Sequence, residues 1–289
     1  MKHFFWFAAF FILLFAGDRL GGYFLQRQVD GSQFRYSRLY GGRAACDILL
    51  VGNSRGLTFY QPYMEEKTGN STFNLSYNGL PMDLANALIE DYVDQYPPPK
   101  MLLIDITICD RTNDELLTGF LAYSTYSPRL SALIRTKQAK IWWAGRVSSL
   151  FRFNNEIFQR ALYYRSRSDA DWLLDRVISP KLAASAAENA YDLEPQPYLV
   201  QQLAASVRAA QAKGVAVHLV IGPYFPGFQV KNLDQFKSAV EEATGLTVYD
   251  YRAALPDPSL FGDYMHANKN GAMRYIDLLL GDGVLKAGD

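Results

Sequence analysis

Short apolar runs with little polar alternation recur along this chain, and most are followed by a stretch with helical spacing. Asp47–Gly52, Ser71–Leu75, Met101–Ile108, Val215–Ile221 and Leu246–Asp250 read as five strands. Arg55–Thr68, Met82–Tyr96, Leu199–Lys213 and Gly271–Leu280 read as helices, with Pro97-Pro-Pro99 and Gly214 as stop signals. Apolar strands alternating with helices predict an α/β fold around a parallel sheet covered on both faces. Such sheets gather their sites at the carboxyl ends of the strands. Ser54, Ser76, Gly79, Asn113 and the loop carrying Asp263 and His266 are therefore expected on one edge.

Three stretches fall outside this alternation. Phe4–Gly17 is an uncharged apolar run, shorter than the roughly 20 residues that span a bilayer. It continues through Leu20–Leu25 if Asp18 and Arg19 pair or reach the interface. A cleavage signal needs small residues at −1 and −3; Gly17 or Ala16 meets the first, but Phe15 or Leu14 then occupies the second. An uncleaved membrane anchor over residues 1–25 is thus expected ahead of a cleaved signal segment or a buried N-terminal helix. With either of the first two the body is exported, to the periplasmic face if the source is bacterial. Residues 26–45 are polar and glycine-bearing and read as a linker, leaving 46–289 as the α/β domain.

The third stretch, about residues 111–197, reads as a helical insertion between strands three and four. From Arg129 to Arg167 its basic residues face a single acid, Glu156, and Trp142, Trp143, Phe151, Phe153, Tyr163 and Tyr164 are interleaved with them. This pattern fits a solvated cationic face, a face toward a membrane surface, or a surface for an anionic polymer or partner.

Composition narrows the function classes. With 289 residues, 49% of them hydrophobic, the chain can bury a sizeable core, and whole-chain disorder is excluded. The 29 basic residues balance the 29 acidic ones, so net charge points to no nucleic-acid partner. Cys46 and Cys109 are too few for a disulfide framework. They stand at opposite ends of parallel strands about 17–20 Å long, whereas a disulfide needs Cα atoms within about 7 Å, so two free thiols are expected. No dinucleotide or phosphate-loop motif and no His/Cys cluster with metal-ligand spacing occurs, so neither cofactor nor metal is expected. The acids Asp105, Asp110, Asp114 and Glu115 read as a solvated loop rather than a glycosidase pair.

The remaining chemistry rests on serine and histidine. Of three histidines, His3 opens the apolar leader and His218 lies inside a strand, which leaves His266 with Asp263 three residues before it. A hydroxyl nucleophile needs a base to take its proton, and the base needs a carboxylate to fix its tautomer. Ser54 follows a turn at Gly52 and precedes a helical segment, where a serine is either an exposed nucleophile or an N-cap.

Gly52-Asn53-Ser54 and Asp263-Tyr-Met-His266, taken together, resemble the Gly-Asp-Ser and Asp-x-x-His blocks of the SGNH/GDSL superfamily of esterases, lipases and acyltransferases. The resemblance covers about residues 46–110 and 198–281. It implies a flavodoxin-like three-layer sandwich with strand order 2-1-3-4-5, and catalytic Ser54, Asp263 and His266. It implies an oxyanion hole from the amide of Ser54, from Ser76 or Gly79 where the family has its second-block glycine, and from Asn113, which comes later than the family's asparagine and without a glycine before it. The implied activity is hydrolysis or transfer of acyl groups, with acetyl esters of a cell-envelope or secreted polysaccharide as expected substrates. A membrane partner would supply an activated acyl donor in the transferase case. The alternative is a glycan-binding or assembly protein that keeps the fold with little catalysis.

Overall fold

The computed structural model describes residues 2–287. The chain begins with α1 (Lys2–Asp30), α2 (Arg35–Tyr40), β1 (Ile48–Val51), α3 (Gln61–Thr68), β2 (Thr72–Asn74), α4 (Met82–Gln95) and β3 (Met101–Asp105). A helical stretch follows: α5 (Asp114–Leu117), α6 (Pro128–Lys137), α7 (Ala139–Val147), α8 (Glu156–Tyr163) and α9 (Pro180–Ala184). The last part holds β4 (Ala190–Asp192), α10 (Pro197–Ala212), β5 (Ala216–Ile221), β6 (Gln229–Lys231), α11 (Leu233–Thr244), β7 (Val248–Asp250) and α12 (Lys269–Gly281). These elements form two compact units, Met1–Arg43 with Asp114–Asp169, and Ala44–Asn113 with Ala170–Asp289.

The second unit is α/β, with a five-stranded, all-parallel sheet flanked by helices. Its order is β2-β1-β3-β5-β7, which departs from 2-1-3-4-5 because two further strands, β4 and β6, intervene in the chain without joining the sheet. The two strands missed in the sequence, β4 and β6, pair with each other in a separate ribbon. Each is three residues long with exposed ends, so neither carries the apolar run that announces a buried strand. Every residue of β1 and β3 is buried, which is why these strands show no polar alternation. Ile48, Leu50, Met101, Leu103 and Val220 face one side, where α12 inserts Tyr275, Ile276 and Leu279. Full burial of side chains of this size stabilises by about 1.5–3 kcal/mol each. α4 and α10 pack on each other, and α10 packs on β5. The segment 222–245, unassigned in the sequence, contains α11.

At the amino end of β1, Asp47 accepts hydrogen bonds from the Ser71 amide and hydroxyl (2.9 and 2.6 Å) and pairs with Lys100 at 3.1 Å. The Ser71 hydroxyl, its amide and Lys100 pull the Asp47 carboxyl from 3.8 down to about 2. A folded-state pKa below the unfolded one gives stability that is present above 3.8 and lost as pH falls through about 2. Asp47→Asn is therefore expected to be less stable than wild type at pH 6, with the difference in urea midpoint shrinking below pH 3.8 and disappearing as pH falls through about 2. A gap that does not change with pH would refute this assignment.

The first unit corrects the reading of residues 26–45 as a linker. α1 runs on to Asp30, α2 follows at once, and Phe34, Tyr36 and Leu39 are fully buried. Arg35 and Asp169, 3% and 2% exposed, form an ion pair at 3.0 Å, and Asp169 also accepts the Arg35 amide. The expected insertion 111–197 is likewise divided, since 114–169 belongs to this unit and α9 and β4 to the sheet-bearing one. Polar and aromatic residues mixed along 26–45 hide the contacts that bury them, because Arg35 finds its carboxylate 134 positions away.

Candidate active site

Parallel strands bring β1, β2, β3 and β5 to a common carboxyl edge, and the site is built from the loops that leave it. After β1 the chain turns at Gly52, where a Cβ would stand 2.7 Å from the Gly56 Cα. The expected helix Arg55–Thr68 is broken into a 3₁₀ turn, Arg55–Thr58, and α3. Ser54 precedes that single turn and makes no side-chain capping bond, which removes its N-cap role. Its hydroxyl lies 2.8 Å from His266 Nε2.

His266 sits in a loop between Phe261 and Ala267, which bridge to each other, just ahead of α12. Asn268 caps α12 by accepting the Gly271 amide and donates to the Ser259 carbonyl at 2.7 Å, fixing where the loop ends. Asp263 accepts the Met265 and His266 amides, both at 2.9 Å, and its two oxygens lie 2.9 and 3.0 Å from His266 Nδ1. Burial works to raise the Asp263 pKa, but the ring, its charge and the two amides outweigh it and hold the carboxyl below the ordinary aspartate value. Asp263 is therefore ionised at neutral pH, so Nδ1 must donate to it. Nε2 is then left as the acceptor for the Ser54 proton. The nucleophile, base and carboxylate expected from the sequence come together in hydrogen-bonding reach. His218 does not belong to this group: it lies in β5 beside Tyr249, and burial lowers its pKa.

The expected oxyanion donors divide. Ser76 is fully buried and its amide donates to Asn74 Oδ1 at 2.9 Å, so it is spent inside the fold. Asn113 Nδ2 donates to the Gly79 carbonyl at 2.9 Å, which makes it a brace for the Tyr77–Leu80 turn rather than a wall of the cavity. Gly79 does line the cavity, with φ +67, and a Cβ there would stand 2.8 Å from Asn113 Nδ2. Among the described residues, no hydrogen bond reaches the amides of Ser54 and Gly79.

Several residues here went unforeseen. Asn53 lines the cavity, its Oδ1 accepting the Arg55 amide and its Nδ2 donating to Thr107 Oγ1 at 3.2 Å. The Thr107 hydroxyl in turn donates to Asp105, which is 1% exposed. An Asp two residues before a Thr at a strand end is the signal that would have found this turn. Arg55, the first residue of the 3₁₀ turn, is 3% exposed: it donates to the carbonyls of Met265, Gly222 and Pro223, lies 3.9 Å from Asp105, and stacks 3.6 Å above the Tyr224 ring.

The Ser54–His266 contact lies between two hollows. One, of about 240 Å³, is lined by Asn53, Gly79, Thr107, Tyr191 and Arg111 among others. Arg111 is 65% exposed, tied to Asp110 at 3.0 Å and lying over the Tyr191 ring, while Tyr191 donates to Asp110. The second, of about 200 Å³, is lined by Leu57, Thr58, Asn78, Trp172 and Leu174 among others, beside Asp263 and His266. Among the described residues, no group of three or more His, Cys, Asp or Glu side chains is placed to hold a metal ion. Cys46 and Cys109 are free thiols, and burial, with Asp105 and Asp110 nearby, pushes the Cys109 thiol pKa upward. Compared with known proteins, the chain matches no family model, and no curated protein matches it significantly.

Proposed function

We propose that this chain is a serine esterase or O-acyltransferase of SGNH type with a flavodoxin-like sheet. In this reading it is anchored in a membrane by α1, with its body exported, and acts on acyl esters of a cell-envelope or secreted polysaccharide. The observation that carries the reading is the serine–histidine–aspartate series, 2.8 Å from hydroxyl to imidazole and 2.9 Å from imidazole to carboxylate. As Ser54 Oγ bonds to the ester carbonyl carbon, its proton passes to His266 Nε2, while Asp263 stabilises the imidazolium. The carbonyl oxygen gathers negative charge, met by the amides of Ser54 and Gly79 and the second N–H of Asn53 Nδ2. The leaving alcohol departs with the proton from His266. Water in an esterase, or a sugar hydroxyl in a transferase, then attacks the acyl-serine and gives its proton to His266, which passes it to Ser54 Oγ as the acyl–serine bond breaks.

Two hollows on either side of the nucleophile suit the two parts of an ester. The one beside Trp172 and Leu174 fits an acyl chain; the one into which Arg111 and Tyr191 bring a charge and a hydroxyl fits a hydroxylated or anionic alcohol. α1, long and apolar enough to cross a membrane, supports the anchored location. A second reading, a glycan-binding or assembly protein with little catalysis, draws support from one observation: two of the expected oxyanion donors, Ser76 and Asn113, are engaged within the fold. Each missing donor typically costs about 10²–10³ in rate.

Fluorophosphonate labelling decides between them. The probe is expected to modify Ser54 alone, and mass mapping of the labelled peptide should find the adduct between Gly52 and Thr58. Absence of label on the folded protein, or label elsewhere, sinks the enzyme reading.

A further inference from the structure

The apolar surface of α1 does not end at its first charges. From Phe4 to Gly17 nearly every side chain is exposed, but these 14 residues rise only about 21 Å, short of the roughly 30 Å of bilayer hydrocarbon. Beyond Asp18 and Arg19 the apolar face resumes with Leu20, Tyr23 and Phe24, each more than half exposed. From Phe4 to Phe24 the rise is about 30 Å, so a helix spanning with its whole apolar face carries Asp18–Gly22 roughly 3–9 Å inside the hydrocarbon edge.

Charges at that depth are costly unless paired within the protein, and these are. Asp18 accepts the Ser148 hydroxyl and the amides of Ser149 and Leu150. Arg19 donates to the Ser149 hydroxyl at 2.6 Å and to the carbonyls of Arg146 and Val147. Gly22 lets the two segments touch, since a Cβ there would stand 2.3 Å from the Ser149 Cβ. The corner that satisfies α1, made of the end of α7 and the 3₁₀ turn Leu150–Phe153, is itself apolar on its free side. Trp143 is 59% exposed and Val147 73%, with Leu150 and Phe151 also open, and Val147 and Leu150 share a hollow with Phe10, Leu14 and Phe15 of α1.

We propose that the corner Trp143–Phe151 is a second membrane element, immersed in the edge of the lipid bilayer beside α1. Its occupant is lipid because its exposed apolar side chains continue the exposed face of α1 at the same level. Bonds to Asp18 and Arg19 hold it there. This rests on the reading of α1 as a membrane anchor and adds a depth for the first unit that the anchor alone does not set.

The full-length chain carrying Cys46→Ala, reconstituted in phosphatidylcholine–phosphatidylglycerol vesicles, tests this with an environment-sensitive fluorophore at single introduced cysteines. Leu13→Cys reports the anchor, and Val147→Cys and Trp143→Cys report the corner. Tyr163→Cys is the reference. Tyr163 is 54% exposed in the same unit, and the neighbouring Tyr164 carbonyl accepts the Gln33 amide, beyond the far end of α1. Positions 13, 143 and 147 are expected to be quenched severalfold more by doxyl-labelled lipid, and less by aqueous iodide, than position 163. If Leu13 is quenched by lipid while 143 and 147 behave like 163, the corner is overturned and the anchor stands. If Leu13 also behaves like 163, the anchor reading falls and the corner with it.

Discussion

Ser54→Ala is expected to lower hydrolysis of a small acetyl ester by on the order of 10⁵–10⁶-fold in kcat while leaving the thermal midpoint within a few degrees of wild type. The size follows from what the hydroxyl does in the proposed reaction: it forms the bond that splits one difficult step into two, and water in its place lacks its alignment with His266. The small effect on stability follows from its surroundings, because the Ser54 side chain caps no helix and, among the described residues, its hydrogen-bond partner is the part-buried His266 ring. His266→Ala should cost nearly as much, and the double variant little more than either single one, since the two act as a unit. Hydrolysis by Ser54→Ala at the wild-type rate would remove the nucleophile from the proposal. If a sugar acceptor speeds acyl release by wild type but not by the variant, the transferase branch is favoured over the esterase.

Arg55→Met should be the most damaging change outside the three reacting side chains. It leaves the carbonyls of Met265, Gly222 and Pro223 without their common donor and the buried Asp105 without its nearest cation. Removing one partner of a buried pair typically costs about 3–5 kcal/mol, which for a domain of this size lowers the melting midpoint by roughly 10–15 °C. Activity should fall further than the folded fraction does, because the bond to Met265 holds the residue just before His266. Arg55→Lys is expected to recover little, since an ammonium has no planar fork to serve three carbonyls and stack on Tyr224. A melting midpoint within two or three degrees of wild type would show that these bonds contribute far less than their burial implies.

The contrast between Ser54 and Arg55 explains how much could be read in advance. Asp263 and His266 were legible because their relation is local, three positions apart, and because the scarcity of histidine left few candidates for the base. The apolar runs of β1 and β3 were legible because a strand buried on both faces cannot hide its composition. Arg55 was not, because an arginine in a first helical turn is ordinarily solvated, and its carbonyl partners lie 167 to 210 positions further along the chain. Residues 26–45 failed for the same reason, Arg35 needing Asp169 to be buried. Asn113 was placed by analogy of position, and the sequence held no sign that its amide would brace the Gly79 turn.

The enclosure of Asp263 has a consequence for how reactivity here can vary. Among the described residues, every hydrogen bond to its carboxylate comes from Met265 or His266, so the ring's orientation and tautomer are set within a four-residue span. The approach of hydroxyl to ring depends instead on two loops from distant parts of the chain, joined through Arg55. Tautomer and alignment are thus governed by separate pieces of covalent structure, and substitutions around the β5 end can change one without disturbing the other.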